Sequence, residues 1–167
     1  NKIKKGSELN LKIESLIYGG KGISKYDGLV IFTNNVLPGQ LIKAKIIRKK
    51  KSYLEAVSLE ILEESPFKTK EKCIHFYDCG GCKTQDLEYK EQLSQKENQI
   101  IESLKHLGNI KIQKIEPMLK SDQIYEYRNK MEFSFSNNRW LISNERGLKN
   151  EKSKNFALGL HPPKRFD

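Results

Sequence analysis

The residues best suited to chemistry in this sequence are its three cysteines, Cys73, Cys79 and Cys82. All three lie within ten residues, and two glycines, Gly80 and Gly81, separate the last pair. Thiolates on an irregular loop bind soft metals, and the glycines let the backbone turn tightly between two ligands. Inert core cysteines do not cluster in this way. The spacing therefore predicts a metal site.

Two kinds of metal centre suit these cysteines. Zinc would take His75 as its fourth ligand, although this histidine lies only two residues from Cys73 and beside the aromatic Phe76. An iron–sulfur cluster would need a fourth thiolate from outside the chain. We prefer the cluster, because residues 161–167 contain no obvious closing element and we expect a longer protein. A disulfide is disfavoured, because one cysteine of the three would be left over.

The elements that must position this site fall into two predicted domains, residues 1–64 and residues 65–167. In the first domain, short alternating or apolar segments are separated by turn signals at Asp27-Gly28 and at 37–40. Five short strands in about 60 residues are typical of a small closed barrel. The predicted strands are residues 9–16, 23–26, 29–32, 42–46 and 53–62.

The second domain is predicted to be a small α+β domain with a long helix and an antiparallel sheet. Apolar residues spaced by three, four and seven predict the helix over 84–107, and Gly108 is a natural terminator. Further strands are expected over 110–118, 125–135, 138–143 and 156–160.

The net charge of +10 makes a polyanion the first partner to consider. Residues 1–64 and 65–167 share the excess equally, although a general lysine bias would produce the same charge. Six of nine consecutive residues are basic, and we predict that they follow RNA phosphates; the alternative is a solvated hairpin. These residues are Lys43, Lys45, Arg48, Lys49, Lys50 and Lys51.

Aromatic side chains in the barrel are candidates for base stacking, with core packing as the alternative reading. These are Tyr18, Phe32 and Tyr53. The sequence has no apolar run long enough for a membrane helix and no signal peptide at its start. We therefore expect a cytoplasmic protein. We also expect a monomer.

Three sets of motifs resemble the iron–sulfur class of RNA (uracil-5-)-methyltransferases. The first is the cysteine segment 73–82 followed by Gln85-Asp86-Leu87, and the second is Tyr127-Arg128-Asn129-Lys130-Met131-Glu132-Phe133. The third covers Gly19-Gly20-Lys21-Gly22-Ile23, residues 27–32 and residues 37–40, which resemble a TRAM domain, an OB-like RNA-binding module. The likeness extends over nearly the whole chain.

This resemblance implies the amino-terminal part of a methyltransferase that modifies 23S ribosomal RNA. It implies a [4Fe-4S] cluster on Cys73, Cys79 and Cys82, with the fourth ligand outside this chain. It also implies that Arg128 and Asn129 lie near RNA or near the catalytic domain. S-adenosylmethionine would bind in that absent domain, so no residue here is expected to be catalytic.

Two rivals to this interpretation remain. One is a non-catalytic RNA-binding module with a structural zinc site. The other is a radical or thiolating enzyme with a TRAM domain, although such enzymes usually place that domain after the catalytic core.

Overall fold

The computed structural model describes residues 3–142, 145 and 155–162, and these contain eight strands and one helix. The strands are β1 (Glu8–Lys12), β2 (Ser15–Leu16), β3 (Gly22–Tyr26), β4 (Leu29–Thr33), β5 (Leu41–Lys49), β6 (Tyr53–Glu63), β7 (Ser134–Ser136) and β8 (Ala157–Gly159). The helix is α1 (Tyr89–His106).

The chain divides into two compact units. The first contains Asn1–Lys70 and Asp86–Ser121, and the second contains Glu71–Gln85 and Asp122–Asp167. The predicted domains 1–64 and 65–167 stay predictions.

The six strands of the first unit form one curled sheet in the order β1-β5-β6-β4-β3-β2. Neighbours are antiparallel except β4 and β6, which are parallel. The two end strands, β1 and β2, are separated in sequence only by Ile13 and Glu14. Ile13 N–H donates to Gln40 O at 2.8 Å, and Glu14 N–H donates to Ile23 O at 2.8 Å. The chain therefore changes partners at this bend, which curls the sheet into an OB-like barrel without a closed ladder.

The alternation predicted for the barrel strands is confirmed by which side chains are buried. On β5, Ile42, Ala44 and Ile46 point inward, while the residues between them face outward. Strands β3, β4 and β6 follow the same period of two. The predicted strand over 9–16 is two strands, because the bend at residues 13–14 interrupts it. The central side chains of the core are Leu11, Ile13, Ile31, Ile42, Ile46 and Leu54.

The helix begins five residues later than predicted. Residues 86–88 instead pair with an extended segment: Thr69 N–H donates to Asp86 O at 2.8 Å, and Glu88 N–H donates to Phe67 O at 2.9 Å. Leu87, between them, is buried with Leu16 and Leu37. These long-range backbone bonds outweigh the local preference for helix. The described residues include no helix long and apolar enough to span a membrane.

The second unit contains the two-stranded antiparallel sheet of β7 and β8, in which Phe135 opposes Leu158. The strand predicted over 156–160 is confirmed as β8. The strand predicted over 125–135 is wrong for residues 125–133, because no described segment pairs with them, and Glu126 has a left-handed φ of 58° near their start.

Two other predicted strands are also corrected. Residues 110–118 form no strand, because no described segment pairs with them. Residues 138–142 are likewise irregular, and Ser143, the last residue of that predicted strand, lies outside the described residues. The predicted antiparallel sheet is therefore smaller than the sequence indicated.

Candidate functional site

The cysteine loop, residues 73–82, is held at both ends by one side chain. The Gln85 carbonyl oxygen accepts a hydrogen bond from Cys73 N–H at 2.7 Å, and its amide nitrogen lies 3.7 Å from Cys82 Sγ, to which it donates. A glutamine three residues beyond the last cysteine thus ties the first cysteine to the last.

Short-range bonds shape the interior of the loop. Cys79 N–H and Asp78 N–H both donate to His75 O, at 2.8 and 3.1 Å. Gly81 N–H then lies 3.3 Å from Cys79 Sγ and donates to it. The backbone therefore turns tightly twice between Cys73 and Cys82.

The loop also contacts the chain just beyond β8. Gly80 N–H donates to His161 O at 3.0 Å, and a Cβ added to Gly81 would lie only 2.8 Å from Leu160 Cδ1. The absence of a side chain at Gly81 is what allows this approach. The indole N–H of Trp140 donates to Leu160 O at 3.2 Å, which fixes the same segment from another direction.

The three thiols suit a metal centre chemically, although they are not gathered around one point. All are free; Cys73 and Cys82 are exposed and Cys79 is half-buried. Among the described residues, no three histidine, cysteine or acidic side chains are arranged to hold a metal ion. Two of the sulfurs nevertheless accept N–H bonds, the outer interaction that tunes thiolate-bound clusters. The predicted metal site stays a prediction.

The six basic residues predicted to contact RNA separate into two groups. Lys43 forms an ion pair with Glu8 at 3.0 Å, Arg48 lies 3.8 Å from Glu55, and the Lys49 ammonium donates to Ile3 O at 2.8 Å. The other three are exposed and have no ion-pair partner among the described residues. These are Lys45, Lys50 and Lys51.

The aromatic residues Phe32 and Tyr53 lie together on the outer face of the barrel. Their ring centroids are 5.4 Å apart with an edge-to-face tilt of 64°. Both flank inward residues, Ile31 and Leu54, so the pair is half-buried rather than part of the core. Lys50 N–H donates to Tyr53 O at 2.9 Å, which brings the basic turn between β5 and β6 beside this pair.

Arg128 and Asn129 lie in an irregular exposed segment of the second unit. The Arg128 guanidinium is 3.7 Å from Met131 Sδ, to which it donates. Their predicted contact with RNA stays a prediction.

Sequence reasoning did not identify the residues that bond to the predicted site residues. Nothing in the spacing of Gln85 identified it as the bridge across the cysteine loop. Glu8 and Glu55, which pair with Lys43 and Arg48, were detectable in principle, because each is an outward residue on a strand next to β5.

The first part of the chain matches a known domain family. The family model of the TRAM domain matches residues 2–59. These residues are a TRAM domain. The solution structure of a conserved protein from Methanococcus maripaludis is 32% identical, covers 34% of this chain and 81% of that one, and superposes with a TM-score of 0.33.

Proteins named RNA methyltransferases match most of the chain. An uncharacterized RNA methyltransferase of Bacteroides thetaiotaomicron is 41% identical over 89% of this chain and 33% of its own length. Counterparts from Porphyromonas gingivalis and Aquifex aeolicus are 34% and 38% identical, covering 94% and 81% of this chain. The chain spans about a third of the length of these relatives. It thus joins a TRAM domain to a segment homologous to part of this methyltransferase family.

Proposed function

We propose that this chain is the RNA-binding and cluster-bearing part of an S-adenosylmethionine-dependent 23S rRNA (uracil-5-)-methyltransferase. The observation that carries the proposal is the 41% identity, over 89% of the chain, to a protein named as an RNA methyltransferase. The motifs around Cys73 and Arg128 supply the narrower assignment to uracil and to a cluster.

The barrel supports RNA capture through positive charge that is unpaired in the described part of the chain and through aromatic side chains on its outer face. Lys45, Lys50 and Lys51 have no acidic partner among the described residues, so phosphate groups would displace only water and counterions from them. The half-buried, edge-to-face Phe32–Tyr53 pair offers aromatic surface beside the turn that carries Lys50. A folded surface that combines these features suits single-stranded RNA.

The cysteine loop would supply the ligands of the cluster. Cys73, Cys79 and Cys82 would each bind through a thiolate, and the N–H donors from Gly81 and Gln85 already point at two of the sulfurs. Metal binding often completes the folding of such a site, because the ligands gather around the bound ion. The cluster would be architectural, because a methyl transfer of this type needs no electron.

The methyl transfer itself would occur outside this chain. In the proposed reaction a cysteine thiolate adds to carbon 6 of uracil, carbon 5 takes the methyl group from S-adenosylmethionine, and a base removes the proton from carbon 5. The thiolate then leaves. None of the cysteines on the loop has this role, because all three are assigned to the cluster.

The reaction is tested on the full-length protein with ribosomal RNA transcripts and S-adenosylmethionine labelled in its methyl group. Nuclease digestion and mass spectrometry should detect 5-methyluridine. A labelled nucleoside of any other identity would overturn the uracil-5 assignment, and labelling of transfer RNA alone would overturn the ribosomal substrate.

The metal is tested by analysing anaerobically purified full-length protein for iron and acid-labile sulfide. We expect both, and we expect Cys79→Ser to lower them strongly. Stoichiometric zinc without iron would overturn the cluster and would favour a structural zinc site instead.

The barrel surface is tested by comparing two triple variants that remove equal charge. Replacing Lys45, Lys50 and Lys51 with alanine should reduce the slope of log affinity against log salt by about 2, because each lost phosphate contact accounts for about 0.7 with single strands. Replacing Lys43, Arg48 and Lys49 should change the slope less, since these cations already have partners. Equal effects of the two variants would contradict the assignment.

A further inference from the structure

The turn between β2 and β3 presents an aromatic ring almost entirely to solvent. Tyr18 is 91% exposed, the most exposed aromatic side chain among the described residues. The backbone around it is fixed, because Ile17 N–H donates to Lys21 O and Gly20 N–H donates to Ile17 O, both at 2.9 Å. Gly19 and Gly20 have φ values of 88° and 81°, which side-chain-bearing residues rarely adopt. The ring therefore stands on a tight, well-defined turn.

The helix α1 holds the base of this turn. Leu16, two residues before Tyr18, has both backbone groups bonded by helix side chains. Its N–H donates to Gln95 Oε1 at 2.7 Å, and its carbonyl accepts from Gln99 Nε2 at 2.9 Å. Gln95 and Gln99 are one helical turn apart and so face the same way. The Leu16 side chain is buried against Leu37 and Leu87.

We propose that Tyr18 is a stacking platform for an unpaired RNA base, held in place by α1 through Gln95 and Gln99. The proposal rests on RNA binding by the chain. An exposed tyrosine on a mobile loop would lose conformational freedom on stacking, whereas a ring on a fixed turn has less to lose. Proteins read RNA mainly at unpaired bases, which stack on tyrosine faces. Lys21, at the other end of the same turn, adds a positive charge for the adjoining phosphate.

The Phe32–Tyr53 pair continues the aromatic surface along β3. Gly22 lies next to the Tyr18 turn, and Phe32 is in register with Ile23, one residue farther along the strand. Tyr53 opposes Val30, which is in register with Lys25, so the pair extends to about 10 Å from Gly22 at 3.3 Å per residue. One extended single strand of RNA is able to contact both Tyr18 and this pair.

The direct test compares binding of a short single-stranded RNA, carrying the fluorescent base 2-aminopurine, to the 167-residue chain and its variants. Tyr18→Ala should weaken binding about 5- to 150-fold, the range that corresponds to loss of one base–aromatic stack. The salt slope should not change, because no charge is removed. Tyr18→Phe should retain affinity and the quenching of 2-aminopurine. Leu119→Ala, at another highly exposed apolar residue, is the matched control.

The positioning role of α1 is tested by a double-mutant cycle on RNA affinity. Gln95→Ala should weaken binding in the wild-type background and have no further effect in the Tyr18→Ala background. Gln99→Ala provides a milder variant in case Gln95→Ala unfolds the chain, and urea unfolding checks the fold of each. Additive losses of RNA affinity would mean that α1 stabilises the fold but does not position Tyr18.

The failures of the two proposals are distinguishable. If the wild-type chain binds no RNA, the proposed RNA function fails. If the wild type binds with a salt-dependent affinity and Tyr18→Ala behaves like Leu119→Ala, the stacking proposal is overturned. If Tyr18→Ala leaves RNA binding unchanged but abolishes the capture of a protein partner, the stacking proposal is also overturned.

Discussion

The Gln95 side-chain oxygen accepts a hydrogen bond from the backbone N–H of Leu16 at 2.7 Å, although 79 residues separate them in the sequence. Gln95 is buried, and its amide nitrogen donates to Glu91 Oε1 at 2.7 Å. The Gln95 side chain therefore supplies a hydrogen-bond acceptor to the edge of β2, as a neighbouring strand would. It is the only buried residue of α1, so the helix docks on the barrel through a polar contact.

Replacing Gln95 with alanine should lower the free energy of unfolding by about 1–3 kcal/mol, because the Leu16 N–H would remain buried without an acceptor. Urea unfolding followed by circular dichroism measures this loss. Lys96→Ala, on the neighbouring exposed position of the helix, should change stability by less than about 0.5 kcal/mol. Equal losses in the two variants would show that the buried bond contributes nothing specific.

Replacing Thr33 with valine should raise the free energy of unfolding by about 1 kcal/mol. The Thr33 hydroxyl is fully buried in the barrel core and has no hydrogen-bond partner among the described residues. Valine has nearly the same shape and removes the cost of that buried oxygen. The control is Thr69→Val at an exposed position, which should be close to neutral in the same urea experiment. A destabilised Thr33→Val variant would indicate a bonded hydroxyl.

Alanine substitutions at two glycines with left-handed φ values distinguish the cost of backbone strain from the cost of steric overlap. Gly39 has a φ of 84°, and a Cβ there would lie 2.8 Å from Pro66 Cδ; Gly28 has a φ of 75° with open space around it. Gly28→Ala should therefore cost only the conformational term, about 1–2 kcal/mol. Gly39→Ala should cost more, because its Cβ would also overlap the rigid proline ring. Thermal unfolding of both variants compares the two costs, and a smaller cost at Gly39 would contradict this reasoning.

The sequence predicted best those elements whose side-chain pattern is set by one local periodicity. Strand β5 alternates cleanly from Ile42 to Ile46, and the structure buries the predicted face. The helix was correctly located, but its start was not, because the bonds from residues 86–88 to residues 67–69 involve backbone groups, which every sequence carries. Local patterns do not encode such partners.

The candidate site shows the same contrast between features that a local sequence pattern predicts and features that depend on distant partners. Cysteine spacing identified the loop, since residue type and crowding are visible in the sequence. The bridge from Gln85 to Cys73 and Cys82 was not visible, because it depends on how the loop closes in space. Likewise, the six basic residues form one group in the sequence, but strand pairing divides them. Glu8 forms an ion pair with Lys43, and Glu55 forms one with Arg48. Lys45 has no ion pair among the described residues.

Stability should fall at acid pH partly through Glu64. Burial alone would raise the pKa of this carboxyl. Hydrogen bonds from Lys68, Gln40 and the Ser65 N–H outweigh that effect and hold the pKa below its ordinary value. The distances to these donors are 2.5, 2.6 and 3.0 Å.

A carboxyl whose pKa is lower in the folded chain stabilises the fold only when it is ionised. The contribution of Glu64 should be complete above the unfolded-chain pKa of about 4.3 and should disappear as the pH falls through the folded value. Glu64→Gln should therefore be less stable than the wild type at pH 7, and the difference should shrink below about pH 4. Urea midpoints across this range measure it. If Glu60→Gln, which removes an equal charge from an exposed position on β6, gave the same pH profile, the bonds to Glu64 would not be the cause.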